Sequence, residues 1–231
     1  MEPHHSIPMI FARGLTRIYA LGDSEVIGIS QIDLEIAAGE LVVLKGDSGS
    51  GKSTLLSLLA GLDRPTRGEL IVANHELNKT PDDQLTHFRR QVVGMIFQSF
   101  NLLPTLSVLE NACLPALLAG KSIDKSRTKA MELLNWLGLD SRINHLPAQL
   151  SGGEMQRTAI ARALINDPAI ILADEPTGNL DSRNGRIVID LLAELNRKWN
   201  RTVLIATHST LADEIASVRV GLKDGMITGL P

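Results

Sequence analysis

A glycine-rich segment in the first quarter of the chain restricts the fold more than any other feature. It contains, in order, Gly46, Asp47, Ser48, Gly49, Ser50, Gly51, Lys52 and Ser53. Glycine at the first and sixth positions, followed by lysine and a hydroxyl residue, is the P-loop pattern. The apolar run Glu40–Leu44 before it predicts a buried strand, and the run Thr54–Ala60 after it, which Gly61 closes, predicts a helix. Strand, glycine turn and helix thus follow each other as a phosphate-binding α/β unit requires.

The glycines of this segment indicate that a phosphate group approaches the backbone. A Cβ atom would hold the main chain away from the phosphate, and positive φ angles cost little only for glycine. Backbone N–H groups and the positive end of the helix dipole would then bind a β-phosphate. We expect Lys52 to reach the β- and γ-phosphate oxygens, Ser53 to hold Mg²⁺ through its hydroxyl, and Thr54 to lie among the nucleotide-binding residues. The alternative is a glycine-rich turn that binds nothing.

The composition excludes several classes of partner. With 231 residues the chain is long enough for one large domain or two small lobes. A net charge of −3 and an aromatic content of 3% provide neither a basic surface nor a set of stacking platforms, so nucleic acid is not an expected partner. The single cysteine, Cys113, excludes an internal disulfide and fits a reducing compartment.

The cellular location is predicted from the apolar content of the chain. The opening segment Met1–Ser6 is polar and lacks the apolar core of a signal peptide, and no apolar run approaches the ~20 residues that a membrane helix needs. We therefore expect a cytoplasmic protein whose attachment to a membrane depends on a partner. The adjacent His4 and His5 are expected to lie in a loose tail rather than to bind a metal.

The first third of the chain has the pattern of an antiparallel sheet around the P-loop unit. Short strand-like pieces between about Ile10 and Ile36 are broken by Gly14, Gly22 and Gly28. After the P-loop helix, a turn leads into Glu69–Val72, which predicts another strand.

The remainder of the chain predicts helices followed by parallel strands. The pattern is mostly helical from Pro81 to Asn166, with apolar positions at three- and four-residue steps in Thr128–Leu137. The short apolar runs Ala169–Ala173 and Thr202–Ala206 predict buried parallel strands, and Gly185–Trp199 between them predicts an amphipathic helix. An α/β core interrupted by a helical insert follows from this order.

An acidic pair follows the first of these two strands. Asp174 and Glu175 stand at its carboxyl end, where α/β folds bind their ligands. We expect Asp174 to hold Mg²⁺ through water and Glu175 to polarise the attacking water as a general base. Loss of that base should lower turnover by about 10²- to 10⁴-fold and leave nucleotide binding intact. The alternative is that the pair only caps the next helix.

Two further polar residues follow other strands and are ambiguous by themselves. Gln98 comes after the apolar run Val92–Phe97, and its side-chain carbonyl could touch Mg²⁺ or water, although a Gln in this position is usually a solvated turn residue. His208 follows Thr202–Thr207, and its place at a strand end favours contact with a γ-phosphate over metal binding, because no companion ligand lies near it in the sequence.

A second glycine segment, Ser151-Gly152-Gly153-Glu154, precedes a helical run. Serine followed three residues later by glutamate is a capping box, which by itself predicts only the start of a helix. The two glycines leave the first N–H groups of that helix open, so the same cap could also receive an anion. Both interpretations can hold together.

Together these residues resemble the ATP-binding subunits of ABC transporters. The P-loop, Gln98, Leu150–Glu154, Asp174–Glu175, Asn179–Asp181 and His208 occur in the order that this family has. The resemblance covers nearly the whole chain. It implies an α/β P-loop NTPase with a RecA-like core and an N-terminal antiparallel β subdomain, at about residues 10–97 and 167–231, and an inserted α-helical subdomain at about residues 98–166.

The resemblance also implies ATP sites that two copies of the chain share. In such proteins two ATPase domains pair head to tail, and each signature serine and its glycines close on the γ-phosphate held by the partner's P-loop. By this resemblance Ser151–Glu154 act on the partner's ATP, His208 acts as a switch and Asp181 helps to join the two sites. Tyr19 occupies the place of the aromatic residue that stacks on adenine. Half-buried strand packing is the alternative for Tyr19.

Within the family, three segments look like the macrolide-exporter and lipoprotein-releasing branch: Phe97–Leu106, His145–Gln149 and Asp174–Asp181. The branch implies an ATPase, with ATP and Mg²⁺ as cofactors, that homodimerises and drives a separate integral membrane permease. Such a subunit lies on the cytoplasmic face of the inner membrane and powers export or extraction of lipoproteins, peptides or drugs. The departures are small, with Glu154 where Gln is commoner and Ser209 after His208 where Asp is commoner.

Other functions remain open at this point. A mechanotransmitting ABC ATPase that transports nothing uses the same residues. A soluble ABC ATPase of DNA repair or translation usually carries a coiled-coil insertion or a second cassette, which this chain lacks, and a small-molecule kinase would leave the signature segment without a purpose. For the permease, Phe97–Leu109 is the hypothesised docking surface.

Overall fold

The computed structural model describes residues 8–22 and 24–229. The expectations for Met1–Ser6, including His4 and His5, fall outside these residues. Within the described ranges, no helix combines the length and the apolar character needed to cross a membrane.

The described residues form strands and helices in the following order. The strands are β1 (Ile10–Leu21), β2 (Ser24–Ile36), β3 (Leu41–Lys45), β4 (Arg67–Val72), β5 (His75–Glu76), β6 (Val93–Ile96), β7 (Ile170–Asp174), β8 (Thr202–Thr207), β9 (Val218–Lys223) and β10 (Met226–Gly229). The helices are α1 (Lys52–Leu59), α2 (Asp82–Gln91), α3 (Val108–Leu118), α4 (Ile123–Trp136), α5 (Gly152–Leu164) and α6 (Ser182–Trp199).

A small antiparallel sheet of order β2-β1-β4-β5 confirms the expected N-terminal sheet. The prediction of short pieces is wrong in detail, because β1 and β2 are continuous strands of 12 and 13 residues. Gly14 lies at a register shift between Ala12 and Leu15 with a φ of 55°, so it bends β1 without ending it. Only Gly22 ends a strand, and Gly28 lies inside β2.

The large sheet has the order β10-β9-β3-β8-β7-β6, and it is parallel except for β10. The predicted buried strands before the P-loop, before Gln98, before Asp174 and before His208 are confirmed as β3, β6, β7 and β8. Because the four strands are parallel, their carboxyl ends meet at one edge, where ligands of α/β sheets bind. This edge positions the candidate site.

Two helices begin earlier than predicted, at capping residues that periodicity did not locate. The helix predicted at Thr128–Leu137 begins at Ile123, because the Ser122 hydroxyl accepts a hydrogen bond from the Lys125 N–H at 3.4 Å. The helix predicted from Gly185 begins at Ser182, since Asp181 caps it.

The large sheet separates two hydrophobic clusters. Val43 of β3 packs with α3, α4, α5 and α6 on one face, whereas Val42 and Leu44 pack with α1 and the small sheet on the other. Alternating residues of a strand point to opposite faces, so a strand buried on both sides is apolar at nearly every position. This burial fixes the strand ends that carry the polar site residues.

Candidate nucleotide site

A cavity of about 600 Å³ lies at the carboxyl edge of the large sheet. Its walls contain Tyr19, Val26, Ile27, Gly28, Asp47, Ser48, Gly49, Gly51, Lys52, Ser53, Thr54, Gln98, Glu175 and His208. Predicted site residues from four strand ends and from the small sheet therefore line one space, although the chain separates them by more than a hundred positions. Gly46 and Ser50 of the P-loop and Asp174 at the end of β7 do not line the cavity.

The P-loop wraps the start of α1 and leaves this helix end open. Gly51 is the N-cap with a φ of 102°, and no side chain accepts a hydrogen bond from the first turn. A Cβ at Gly51 would lie 2.5 Å from the carbonyl oxygen of Gly28, and one at Gly46 would lie 2.3 Å from that of Leu222. Both glycines are thus required for close backbone approach, and the free N–H groups of α1 face the cavity as an anion site.

Lys52 is the principal cation of this cavity wall. It is buried, with 6% of its surface exposed, and its Nζ donates to the carbonyl oxygens of Gly46 at 2.7 Å and Asp47 at 2.9 Å. The same Nζ lies 3.6 Å from Oε1 of Glu175. The ammonium group is therefore held between the P-loop backbone and the acidic pair, where an entering phosphate would meet it.

Glu175 is held in one orientation by its neighbours. Thr207 Oγ1 donates to Glu175 Oε2 at 3.1 Å, and His208 Nδ1 lies 3.0 Å from Glu175 Oε1. The backbone of Glu175 has a φ of 44°, which is strained for a residue with a side chain and costs on the order of 1 kcal/mol. The exposed ring of His208 thus contacts the carboxylate that is best placed to act on a water molecule.

Asp174 offers an acceptor that the protein itself does not use. Burial raises the pKa of this carboxyl group, and a hydrogen bond from Ser53 opposes that shift. Its Oδ1 is buried without a hydrogen-bond partner. A buried unpaired carboxylate oxygen beside a hydroxyl is what a hard cation such as Mg²⁺ would satisfy, so the donor set present fits this ion.

Gln98 is attached to the segment that follows the acidic pair. Asn179 Nδ2 donates to the carbonyl oxygen of Gln98 at 2.9 Å. A Cβ at Gly178 would lie 2.6 Å from Gln98 Nε2, so this glycine allows the amide to approach. The backbone of Gln98 is therefore connected through Asn179 to the chain between β7 and α6.

Three residues of the cavity were missed by the sequence interpretation. Val26 and Ile27 are exposed apolar side chains that line it beside Tyr19. Gly28 was interpreted only as a break in a strand, yet a Cβ there would lie 2.8 Å from Tyr19 Cε2 and 2.9 Å from Thr54 Cγ2. A glycine inside a strand can mark a close approach, which is the one signal that could have indicated it.

The signature segment does not line this cavity. The predicted capping box is present: the Ser151 hydroxyl accepts from the Glu154 N–H at 3.3 Å, and Glu154 Oε2 accepts from the Ser151 N–H at 2.8 Å. Arg142 Nε donates to Glu154 Oε1 at 2.8 Å, and this bond, together with the hydrogen bonds from Ser151, lowers the pKa of Glu154 to about 2. Hence Glu154 stays ionised and fixes the exposed Ser151 at the start of α5.

The signature glycines are needed for packing within the chain. A Cβ at Gly153 would lie 2.3 Å from Asn184 Oδ1, and one at Gly152 would lie 3.3 Å from Leu180 Cδ2. Asp181, expected to join two sites, caps α6 by accepting from the Asn184 N–H at 2.9 Å and from Asn184 Nδ2 at 2.7 Å. The starts of α5 and α6 therefore contact each other away from the cavity.

Comparison with known proteins shows the family. The sequence profile described as ABC transporter matches residues 29–178. The chain is 43% identical over 220 residues to the lipoprotein-releasing system ATP-binding protein LolD of Idiomarina loihiensis, covering 95% of this chain and 96% of that protein. It is 45% identical over 221 residues to the macrolide export ATP-binding/permease protein MacB of Wolinella succinogenes, covering 96% of this chain but 34% of that longer protein.

A solved structure agrees with the fold described above. The ATP-binding cassette MJ0796 of Methanocaldococcus jannaschii, in a dimeric post-hydrolysis state bound to ADP and Pi, superposes with a TM-score of 0.90. It is 40% identical in sequence, and the match covers 96% of this chain and 98% of that chain. The P-loop α/β fold predicted from the sequence is thereby confirmed, and the chain belongs to the ABC transporter family as one of its ATP-hydrolysing cassettes.

Proposed function

We propose that this chain binds MgATP in the cavity and hydrolyses it as a homodimer in which the signature segment of each copy completes the site of the other. One observation carries the proposal. The cavity contains the P-loop, Gln98, Glu175 and His208, whereas Ser151–Glu154 lie outside it. A single copy thus holds a phosphate site without the second helix start that would cover it. The dimeric state of the related cassette supports this assignment.

The P-loop side binds and neutralises the triphosphate. The open N–H groups of α1 receive the β-phosphate, and Lys52 leaves its carbonyl contacts to reach the β- and γ-oxygens. Ser53, Asp174 and Gln98 are the residues that would hold Mg²⁺, which supplies charge neutralisation when it is bound. The unpaired Oδ1 of Asp174 is the structural support for that ion.

Glu175 would accept the proton of the attacking water. Thr207 and His208 orient its carboxylate, and Lys52 Nζ lies 3.6 Å from the same group. His208 is the switch, because its exposed ring can contact either Glu175 or a γ-phosphate at the same edge. When the partner's Ser151 and glycines cover the γ-phosphate, water is excluded except for the nucleophile.

Nucleotide state is coupled to work through dimer closure. A ligand shifts a conformational equilibrium only by its differential affinity, so ATP must favour the closed dimer more than ADP does. The likeness to LolD and MacB supports a permease partner and a peripheral position on the cytoplasmic face of the inner membrane. Lipoproteins, peptides or drugs are the proposed cargo, and a mechanotransmitting ATPase without cargo is the second candidate function of the same site.

Phe97–Leu109 remains the proposed docking surface for the permease. Phe100 and Asn101 adopt positive φ angles of 61° and 50°, and Arg162 of α5 donates to both of their carbonyl oxygens. Leu103 is an apolar side chain with 44% of its surface exposed. Leu103→Asp should therefore separate the ATPase from a membrane partner without lowering ATPase activity of the isolated chain.

The division into subdomains is likewise a proposal. Residues 98–166 contain α3, α4 and α5 and no strand, whereas residues 10–97 and 167–231 supply the strands of both sheets among the described residues. One hydrophobic cluster joins α3, α4 and α5 to β3, β7 and β8. If residues 98–166 move relative to the large sheet, their helices would therefore shift along this shared core.

The Glu175→Gln variant tests the proposed function. It should bind ATP as tightly as the parent, turn over about 10²- to 10⁴-fold more slowly, and sediment as a dimer with MgATP. Lys52→Ala is the matched control, because it removes the phosphate contact and should remain monomeric with the same nucleotide. Turnover of Glu175→Gln within twofold of the parent, or a strictly monomeric stalled variant, would contradict the proposal.

A further inference from the structure

Three residues of the small sheet and the loop after α1 form a single contact group at the cavity wall. Arg17 Nε donates to Asp63 Oδ2 at 2.8 Å, and Tyr19 Oη donates to the same oxygen at 2.9 Å. The guanidinium carbon of Arg17 lies 4.5 Å from the centroid of the Tyr19 ring, over its face. Tyr19 lines the cavity, whereas Arg17 and Asp63 do not.

Each contact removes one freedom of the Tyr19 ring. An aromatic χ2 torsion is broad, so an unsupported ring would present a range of orientations. Asp63 fixes the hydroxyl end, and Arg17 covers one face, so that only the other face remains for the cavity. Gly28 lets the neighbouring strand lie close against the ring edge, since a Cβ there would lie 2.8 Å from Tyr19 Cε2.

The contact group is also connected to the phosphate site through α1. The N–H groups of Leu62 and Asp63 donate to the carbonyl oxygen of Ser57 in α1, at 2.9 and 3.3 Å, so Asp63 is fixed to the end of this helix. The start of α1 at Lys52 is the phosphate site. Helix α1 therefore connects Asp63, which holds Tyr19, to the phosphate site, and so fixes the distance between Tyr19 and the phosphates.

We infer that Arg17 and Asp63 are positioning residues for nucleotide binding, which act through Tyr19 and hold its ring as the platform on which the base stacks. The inference rests on the proposed function, since it assumes that MgATP occupies this cavity. Stacking on an aromatic ring contributes more to the binding free energy when the ring is already ordered, because binding then costs less side-chain entropy. The Tyr19 ring is thus ordered before ATP binds, because its side-chain entropy is lost when the chain folds.

The inference separates the base from the phosphates, so the test uses one probe with a base and one without. Dissociation constants are measured for MgATP and for magnesium tripolyphosphate with the parent, Tyr19→Phe, Asp63→Asn and Arg17→Met. Each variant should bind MgATP about 2- to 10-fold more weakly, the effect of one lost charge-assisted contact, and tripolyphosphate as the parent does.

Two additional variants test whether the effect is specific to the Tyr19 contacts. Arg64→Gln is the matched control, because Arg64 forms a neighbouring ion pair with Asp82 at 2.7 Å and does not touch Tyr19. It should bind both probes as the parent does. The effects of Tyr19→Phe and Asp63→Asn should be less than additive in the double variant, since Tyr19→Phe removes, and Asp63→Asn weakens, the hydrogen bond from Tyr19 Oη to Asp63.

The outcomes that overturn the inference are distinct from failure of the proposed function. Equal weakening toward MgATP and tripolyphosphate would mean that Arg17 and Asp63 support the fold rather than the base platform. Unchanged MgATP affinity in all three variants would also overturn it. If the parent itself fails to bind MgATP, the proposed function fails, and the inference falls with it.

Discussion

The chain contains two glycine-rich helix starts, and they are built in opposite ways. At α1 the N-cap is Gly51 in the left-handed region, and no side chain accepts a hydrogen bond from the N–H groups of the first turn. At α5 the N-cap is Ser151 in an extended conformation, and a reciprocal capping box with Glu154 satisfies the helix start. An open start leaves its N–H groups free for an anion, whereas a capping box satisfies two N–H groups within the chain. Under the proposed function, the open start of α1 binds the phosphate in its own chain, and the capped start of α5 closes on the phosphate of the partner.

Matched glycine substitutions should separate the two helix starts most strongly. Gly51→Ala should weaken MgATP binding by about 10- to 100-fold, because the φ of 102° is strained for alanine and the new Cβ would lie 2.5 Å from the carbonyl oxygen of Gly28. Gly153→Ala meets mainly the side chain of Asn184, so MgATP affinity should stay within about twofold. Calorimetric titration measures both, with thermal unfolding as the check on folding.

The glycine comparison fails if both variants lose MgATP affinity alike. Such a result would place the signature segment in the binding site of its own chain. Turnover should nevertheless fall in both variants, since the signature glycines are proposed to act on the partner's ATP.

Loss of the serine cap should affect stability rather than nucleotide affinity. Ser151→Ala removes the hydroxyl that accepts from the Glu154 N–H, and should lower the free energy of unfolding by about 1 kcal/mol. Affinity of the monomer for MgATP should be that of the parent, because Ser151 does not line the cavity. Urea unfolding measures the stability change, and calorimetric titration measures the MgATP affinity. Weaker MgATP binding by the Ser151→Ala monomer would contradict the distinction between the two helix starts.

The smallest effect concerns the charge of the capping box. The pKa of Glu154 is lowered from 4.5 to about 2, chiefly by the hydrogen bond from Arg142. A lowered folded-state pKa means that the stabilisation is complete above the ordinary pKa and is lost as the pH falls through the folded-state value. The parent should exceed Glu154→Gln in unfolding free energy by about 0.5–1 kcal/mol near pH 7, since the ion pair is partly exposed.

The pH series distinguishes this from a general effect of acid. The difference between the parent and Glu154→Gln should stay constant from about pH 6 to 8 and shrink between pH 4.5 and about 2. Arg142→Gln removes the main cause of the shift. In that background the effect of Glu154→Gln on the unfolding free energy should be smaller, and its loss on acidification should be complete at a higher pH. A parent–variant difference that already varies between pH 6 and 8 would rule out Glu154 as its source.

Much of the core could be predicted because its signals are local. The P-loop carries its own spacing, and the buried parallel strands β7 and β8 are continuous apolar runs. Helix starts were harder to predict, since Ser122 and Asp181 act through local side-chain hydrogen bonds that apolar periodicity does not reveal. The strands β5, β9 and β10 were not predicted, because β5 and β10 have only two and four residues and β9 is partly exposed rather than a continuous apolar run.

The parts of the site that escaped prediction depend on contacts between distant residues. Asp63 and Tyr19 are 44 positions apart and share no motif, so only folding shows that they meet. Gly28 has no positive φ, and its requirement arises from the closeness of Tyr19 and Thr54. The residues of the signature could be identified by resemblance, but their distance from the cavity required the structure.

Mixing two inactive variants tests the shared site most directly. Lys52→Ala lacks a working P-loop and keeps its signature, while Ser151→Asp keeps a residue able to cap α5 but places a negative charge where a partner's γ-phosphate would lie. Each variant alone should have negligible ATPase activity. A mixture should regain turnover through mixed dimers in which the P-loop of one chain faces the intact signature of the other. A mixture as inactive as its components, with mixed dimers present, would contradict the account.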